Sequence, residues 1–252
     1  MSAKIIFDSP EHKVVMFDEL TPASAVQANQ YLIIHRNEGI LLDPGGHKVF
    51  AKLLSDISNY LPPKNIKYIF LSHQDPDIVA SLNGWLMTTG ADAFISKLWM
   101  RFLPHFGLDS QLEGRLHPID DRGTIFDLNG CTLYILPAHF LHSPGNFQIY
   151  DPVGKILFSG DLGASLGQDY FEVTDFETHK RYMEFFHKRY IASGKICKLW
   201  VRMVRNLDID IIAPQHGAIF KGKDIVNKFI DWIESLECGV DLMSEDSYKV
   251  PG

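Results

Sequence analysis

Positive charge is scarce in this chain. Its 24 lysines and arginines are outnumbered by 31 aspartates and glutamates, a net charge of −7. Phosphate recognition needs clustered Lys and Arg, so this balance argues against a nucleic-acid partner. Long apolar runs are missing too: none reaches the roughly 18 residues of a membrane span, so no membrane association is expected. Met1 to Asp18 carries charges at Lys4, Asp8, Glu11 and Lys13, where a secretory leader would need an unbroken apolar stretch. The 3 cysteines, Cys131, Cys197 and Cys238, are odd in number, far apart and without a CxxC pair. They make no disulfide framework, and a reduced, cytoplasmic setting is expected. Cys131 lies in an apolar run and reads as a small buried hydrophobe. Absent as well is a glycine-rich phosphate loop between strand and helix, so no dinucleotide or flavin site is expected. No repeat, low-complexity tract or linker divides the chain.

What is present is a globular composition, 46% apolar in 252 residues, enough to bury a large core. Lys13–Phe17, Tyr31–His35 and Gly39–Leu42 read as strands, the last ending at the turn Asp43-Pro44-Gly45-Gly46. Helical spacing from His47 to Tyr60 stops at Pro62-Pro63. Ile66–Leu71 is an apolar strand, and a helix is expected from Pro76 through Trp85, since proline is tolerated in a first helical turn. Further on, Ala93–Ser96 reads as a strand and Leu98–Leu103 as a short helix. Thr124–Leu128, Cys131–Leu136, Phe147–Tyr150 and Ile156–Phe158 are predicted strands, with a hairpin at Asn129-Gly130. Helices are predicted for Phe176–Ala192, Lys195–Asn206 and Lys223–Leu236, and a strand for Ile209–Ala213. The pattern implies an α/β chain folded as one αββα four-layer sandwich over residues 1–252, two sheets face to face with helices outside.

The chemistry begins at His73-Gln74-Asp75-Pro76-Asp77. One imidazole and two carboxylates alternate just past a buried strand, and no Lys or Arg lies within five residues on either side. Close carboxylates repel unless a positive charge compensates them, and a metal ion would do so. A solvated acidic turn with Asp77 in a helix's first turn fits the segment equally well. Other strands then add to the first. Asp161 follows Leu157-Phe158-Ser159-Gly160, His216 follows Ile211-Ile212-Ala213-Pro214-Gln215, and His139 and His142 follow Tyr134-Ile135-Leu136-Pro137-Ala138. Layered α/β folds gather ligands at the carboxyl ends of strands. Any one of these residues could be structural; the coincidence of all of them points to a metal centre.

The succession Leu42-Asp43-Pro44-Gly45, His73-x-Asp75-x-Asp77, His142, Gly160-Asp161 and His216-Gly217 resembles the five ordered motifs of the metallo-β-lactamase superfamily, over nearly the whole chain. The acid-rich second motif is similar to that of flavodiiron proteins, and the chain resembles most their oxygen-binding diiron relatives without a flavodoxin domain. That resemblance implies one iron held by His73, Asp75 and His142, a second held by Asp77 and His216, and Asp161 bridging them. Asp43 would support a ligand. His142 is preferred over His139 because it precedes the turn Ser143-Pro144-Gly145, as the family's third-motif histidine precedes one. Two departures stand out: Asp75 replaces the usual Glu, and Ile78 replaces a usual His, which leaves the second metal few protein ligands.

Three imidazoles, three carboxylates and no thiolate suit iron, manganese or zinc; the resemblance selects two iron ions. The expected function is binding of dioxygen, with nitric oxide as the alternative ligand, by a sensor or carrier that has no flavin of its own. An oxygen or nitric oxide reductase fed by a separate flavodoxin- or rubredoxin-like donor is the next reading, with a signalling protein as another class of partner. A dinuclear zinc hydrolase, acting through metal-bound hydroxide, comes from a different class, as does a degenerate binding module with substoichiometric metal. Tyr182 and Tyr190, among the aromatics from Phe176 to Tyr190 that otherwise read as core, are candidates to hydrogen-bond a bound oxygen. The resemblance also suggests a homodimer, with the aromatics near Trp99–Phe106 and Trp85 either exposed at its interface or buried.

Overall fold

The computed structural model describes residues 3–22 and 25–250. Among the described residues fourteen strands form two sheets of 7 strands each. The first holds β1 (Ala3–Asp8), β2 (His12–Phe17), β3 (Gln30–His35), β4 (Glu38–Leu42), β5 (Ile66–Phe70), β6 (Asp92–Ser96) and β7 (Leu116–Ile119), side by side in chain order. Pairing is antiparallel from β1 to β4 and parallel from β4 to β7. The second holds β8 (Thr124–Leu128), β9 (Cys131–Pro137), β10 (Phe147–Asp151), β11 (Ile156–Gly160), β12 (Glu172–Val173), β13 (Ile211–Pro214) and β14 (Ile219–Lys221), in the order β12-β14-β13-β11-β10-β9-β8. The Asn129-Gly130 hairpin forms as expected: Leu128 pairs with Cys131, and both turn residues have positive φ, 53° and 94°.

Alternation along each strand sorts its side chains into layers. Ile40 and Leu42 of β4 face the second sheet and meet Leu133, Ile135, Phe147 and Phe158. Leu41 between them faces outward, onto helices α1 (Phe50–Ile57), α2 (Pro76–Val79) and α3 (Leu82–Thr88), through Leu53, Ile57, Val79 and Leu86. On the far side α4 (Phe176–His179), α5 (Glu184–Tyr190), α6 (Gly194–Val204) and α7 (Lys223–Ser235) pack on the second sheet. There Trp200, Val201, Phe229 and Ile233 cover Leu157, Ile212 and Phe220. This is the αββα sandwich. Among the described residues no helix is long and apolar enough to cross a membrane.

Several elements depart from expectation, each for a visible reason. The helix predicted from Pro76 through Trp85 breaks at Ala80-Ser81, because the Ser81 N–H donates to the Gly45 carbonyl at 3.2 Å, not to its own preceding turn. The helix predicted from Phe176 to Ala192 breaks at Tyr182-Met183, where the Tyr182 carbonyl accepts from the Leu166 N–H at 3.2 Å. In place of a helix over Leu98–Leu103 stands a 3-10 segment over Met100–Phe106; Pro104 within it has no N–H to extend an α-helix. Strands β1, β7, β12 and β14 were not anticipated; β7 contains a proline, and β12 and β14 are too short to show a pattern. Trp85 is fully buried against Phe50 and is no interface residue, whereas Phe102 is exposed.

Candidate metal centre

Five loops leave the carboxyl ends of β4, β5, β9, β11 and β13 at one edge of the sandwich. The β5 loop carries His73, Asp75 and Asp77. Its start is fixed by Asp43, whose Oδ1 accepts the Ser72 N–H at 2.8 Å. The Ser72 carbonyl in turn accepts the Phe147 N–H from the other sheet at 2.9 Å. Burial pushes the Asp43 carboxyl up to about 6.

Four atoms converge here. His142 Nε2 lies 3.3 Å from His73 Nε2, 3.4 Å from Asp75 Oδ2 and 3.1 Å from Asp161 Oδ2. His73 Nε2 lies 3.6 Å from Asp75 Oδ2 and 3.8 Å from Asp161 Oδ2. Donors each ~2.1 Å from a common ion sit ~3.0–3.4 Å apart between right and tetrahedral angles, and the observed spacings lie in and just above that range. Asp161 uses its two oxygens in two directions: Oδ2 faces this group, and Oδ1 lies 3.5 Å from His216 Nε2. His216 Nε2 is also 3.5 Å from Asp77 Oδ2. Asp161 Oδ1 is buried without a hydrogen-bond partner, a costly state that a cation beside it would relieve.

Neighbours aim the candidate ligand atoms. His216 Nδ1–H donates to the Gln27 carbonyl at 2.7 Å, which turns Nε2 toward the site. The Asn29 amide donates to the Pro214 and Gly217 carbonyls at 3.0 and 2.9 Å and clamps the loop that carries His216. Ser72 Oγ lies 2.9 Å from His73 Nδ1. Ser143 donates to Gln74 Oε1 at 2.6 Å, and Gln74 donates to Asp75 Oδ1 at 2.8 Å, so Asp75 Oδ2 turns inward. The Gly163 N–H, two residues past Asp161, donates to His187 Nε2 of α5 at 2.9 Å. None of Gln27, Asn29, Gln74, Ser143 or His187 was singled out from sequence; Gln27, Asn29, Ser143 and His187 act through contacts with distant segments, and Gln74, which acts on its neighbour Asp75, is itself held by Ser143.

The electrostatics describe a basin built for cations. Burial opposes charge on His142 and His216, yet the carboxylates around them prevail and hold the imidazoles at about 10 and about 9. His73 is raised as well, burial again opposing and Asp161 prevailing. Burial would raise Asp161, but His73, His142 and His216 keep its carboxyl well below the usual range. Asp77, where burial dominates, is raised.

The remaining sequence candidates separate. His139 lies apart from the cluster, its Nε2–H donating to the Asp121 carbonyl at 2.8 Å and its ring edge-on to Phe147. Tyr182 is turned away: its hydroxyl accepts from Arg181 at 2.6 Å and its ring meets Tyr170 and His179. Tyr190 does flank the site, perpendicular to His142 at 5.9 Å between ring centres and stacked on Phe186. Ile78 is fully buried in the apolar layer beneath the first sheet.

A sequence profile described as ODP family beta lactamase matches residues 26–217. The structure of the peroxy diiron species of the chemotaxis sensor ODP superposes with a TM-score of 0.88 at 42% identity, covering 97% of this chain and 100% of that one. The apo state of the chemotaxis sensor ODP from T. denticola gives 0.86 at 40% identity, covering 98% and 99%. A mutant flavo di-iron protein from Thermotoga maritima shares the fold at 22% identity, TM-score 0.77, over 92% of this chain and 60% of that one. Among curated sequences, the anaerobic nitric oxide reductase flavorubredoxin of Salmonella arizonae is 26% identical over 223 residues, 81% of this chain and 44% of that protein. An uncharacterized protein of Methanocaldococcus jannaschii is 26% identical over 211 residues, covering 81% and 52%. The chain thus spans about half the length of the curated relatives it matches.

Proposed function

The chain belongs to the ODP family of beta-lactamase-fold proteins, and on that premise we propose that it is a non-haem diiron protein that binds dioxygen as a sensor or carrier. His73, Asp75 and His142 would hold one iron, Asp77 and His216 the other, with Asp161 able to serve both. The observation that carries this reading is Asp161, buried and directed by its two oxygens at two separate groups of donors, with Oδ1 otherwise unpartnered. Likeness to a chemotaxis sensor described in its peroxy diiron species adds support. Iron bound here supplies one-electron redox chemistry and open positions for a diatomic ligand. The protein's own groups do the rest. Gln74 and Gln27 fix the direction of Asp75 and His216. Phe186 and Tyr190 wall the side of His142. Asp77, His216 and Asp161 would give a second iron few protein donors.

Metal analysis and absorption spectra of anaerobically purified protein, before and after air, test the proposal. Two irons per chain and a visible band that appears on aeration are expected. A colourless protein containing two zinc ions would replace it with the hydrolase reading. The flavorubredoxin relatives favour a second possibility, reduction of oxygen or nitric oxide with electrons from a separate flavoprotein or rubredoxin. Rapid multiple turnover with such a donor would select it over slow decay of the oxygen adduct.

A further inference from the structure

A second cluster of metal-competent side chains lies at the opposite end of the sandwich. His12 opens β2 and His35 closes β3, directly paired across the two strands. Cys131 opens β9 and Asp151 closes β10. Because β3 runs against β4, and β10 against β9, these residues gather at the edge away from the loops that carry His73 and Asp161. All four are buried.

The arrangement has the order of a histidine metal site and its support. His12 Nε2–H donates to Asp151 Oδ2 at 2.8 Å, since a carboxylate can only accept. That proton assignment leaves His12 Nδ1 with its lone pair. His35 Nδ1 lies 3.2 Å from it, and the Cys131 sulfur completes a set of donor atoms all within 4.8 Å of one another. Cys131 is free, and its sulfur has no hydrogen-bond partner among the described residues. A carboxylate behind a ligating histidine is the usual support for zinc. Thiolate, Asp151 carboxylate and a divalent cation sum to zero charge, which suits a buried site.

We infer that His12, His35 and Cys131, with Asp151 behind His12, bind a zinc-type divalent cation that ties the two sheets together. Two ligands come from the first sheet, Cys131 and Asp151 from the second. Burial and the nearby carboxylates push the thiol up to about 12 in the metal-free fold, so loading expels its proton, as thiolate–metal bonds do.

The site is distinguishable from the proposed diiron centre, which has no thiolate. The full-length protein, stripped of metal and loaded anaerobically with Co²⁺, should show a near-ultraviolet sulfur-to-cobalt charge-transfer band that added Zn²⁺ removes. Cys131→Ser should abolish the band, Cys197→Ser should keep it, and Asp151→Asn should weaken Zn²⁺ binding roughly 10–100-fold. Sulfur scattering at the zinc edge of the loaded wild-type protein provides a check that needs no variant to fold. A wild-type protein with neither the band nor zinc–sulfur scattering overturns the inference, as does a band that survives Cys131→Ser.

Discussion

Gln74 grips Asp75 by its outer oxygen: the amide nitrogen donates to Oδ1 at 2.8 Å while Oδ2 lies 3.4 Å from His142 Nε2. The aspartate is shorter than the glutamate common at this place, so its direction depends on that grip. Gln74→Ala is expected to weaken the first metal roughly 10–100-fold with little change in fold stability. Chelator-competition titration of both metals checks this; loss of both to the same degree would show that Gln74 acts on the whole edge.

Asp161→Ala should remove both metals, since each donor group loses the carboxylate it shares. Elemental analysis of the variant reads this directly, with circular dichroism as the folding control. Two tightly held ions in the variant would contradict the bridging assignment.

Protons compete with metal at this site. His142 and His216, held at about 10 and about 9, are charged in the metal-free fold at neutral pH. Metal binding must expel those protons, so apparent affinity should rise about tenfold per pH unit for each proton released. Calorimetry in buffers of different ionisation enthalpy counts the protons. In the metal-free protein the folded values lie above the unfolded one. Their stabilisation is therefore full below about pH 6.5 and is lost as pH rises through about 9 and 10. Thermal melts of the metal-free protein should fall across that window, and those of the loaded protein should not.

His187 works on the acid side. Its Nδ1–H donates to the Met183 carbonyl at 2.8 Å, and its Nε2 accepts from Gly163. Both bonds require the neutral ring, and burial lowers it to about 4. Here the folded value lies below the unfolded one. Stability is full above about pH 6.5 and is lost as pH falls toward 4, on the order of 3 kcal/mol. His187→Ala should flatten that part of the pH–stability curve and loosen the segment that carries Asp161, which hydrogen exchange at Gly163 would register.

Asn29→Ala should leave the Gly217 carbonyl short of a donor, while the Pro214 carbonyl keeps the Tyr31 hydroxyl, at about 1–3 kcal/mol of stability. It acts on the loop of His216, so the second metal should be lost before the first. Denaturant melts and stepwise chelation measure the two effects.

Much of this was legible in the chain. Strands β2 to β5 and β8 to β11 stood out because buried or alternating apolar runs ended at turn residues. His73, Asp75, Asp77, His142, Asp161 and His216 stood out because each follows such a run. What stayed hidden depends on distant segments. Ser81 and Tyr182 read as mid-helix, but the donor of one and the carbonyl of the other are taken by Gly45 and Leu166. Cys197 and Cys238, widely separated in sequence, stand 3.9 Å apart at their sulfur atoms. His12 and His35 open and close strands and showed no motif at all.

The loop clamped by Asn29 has a consequence for biosynthesis. His216 is the last of the six residues to leave the ribosome, and its strand, β13, must slot beside β11 before His216 can meet Asp161 and Asp77. A metal offered to a nascent chain before that moment would meet His73, Asp75, His142 and Asp161 of the first group, but only Asp77 and Asp161 of the second. Capture of a second metal would therefore report that synthesis has passed β13 and that this strand has docked beside β11.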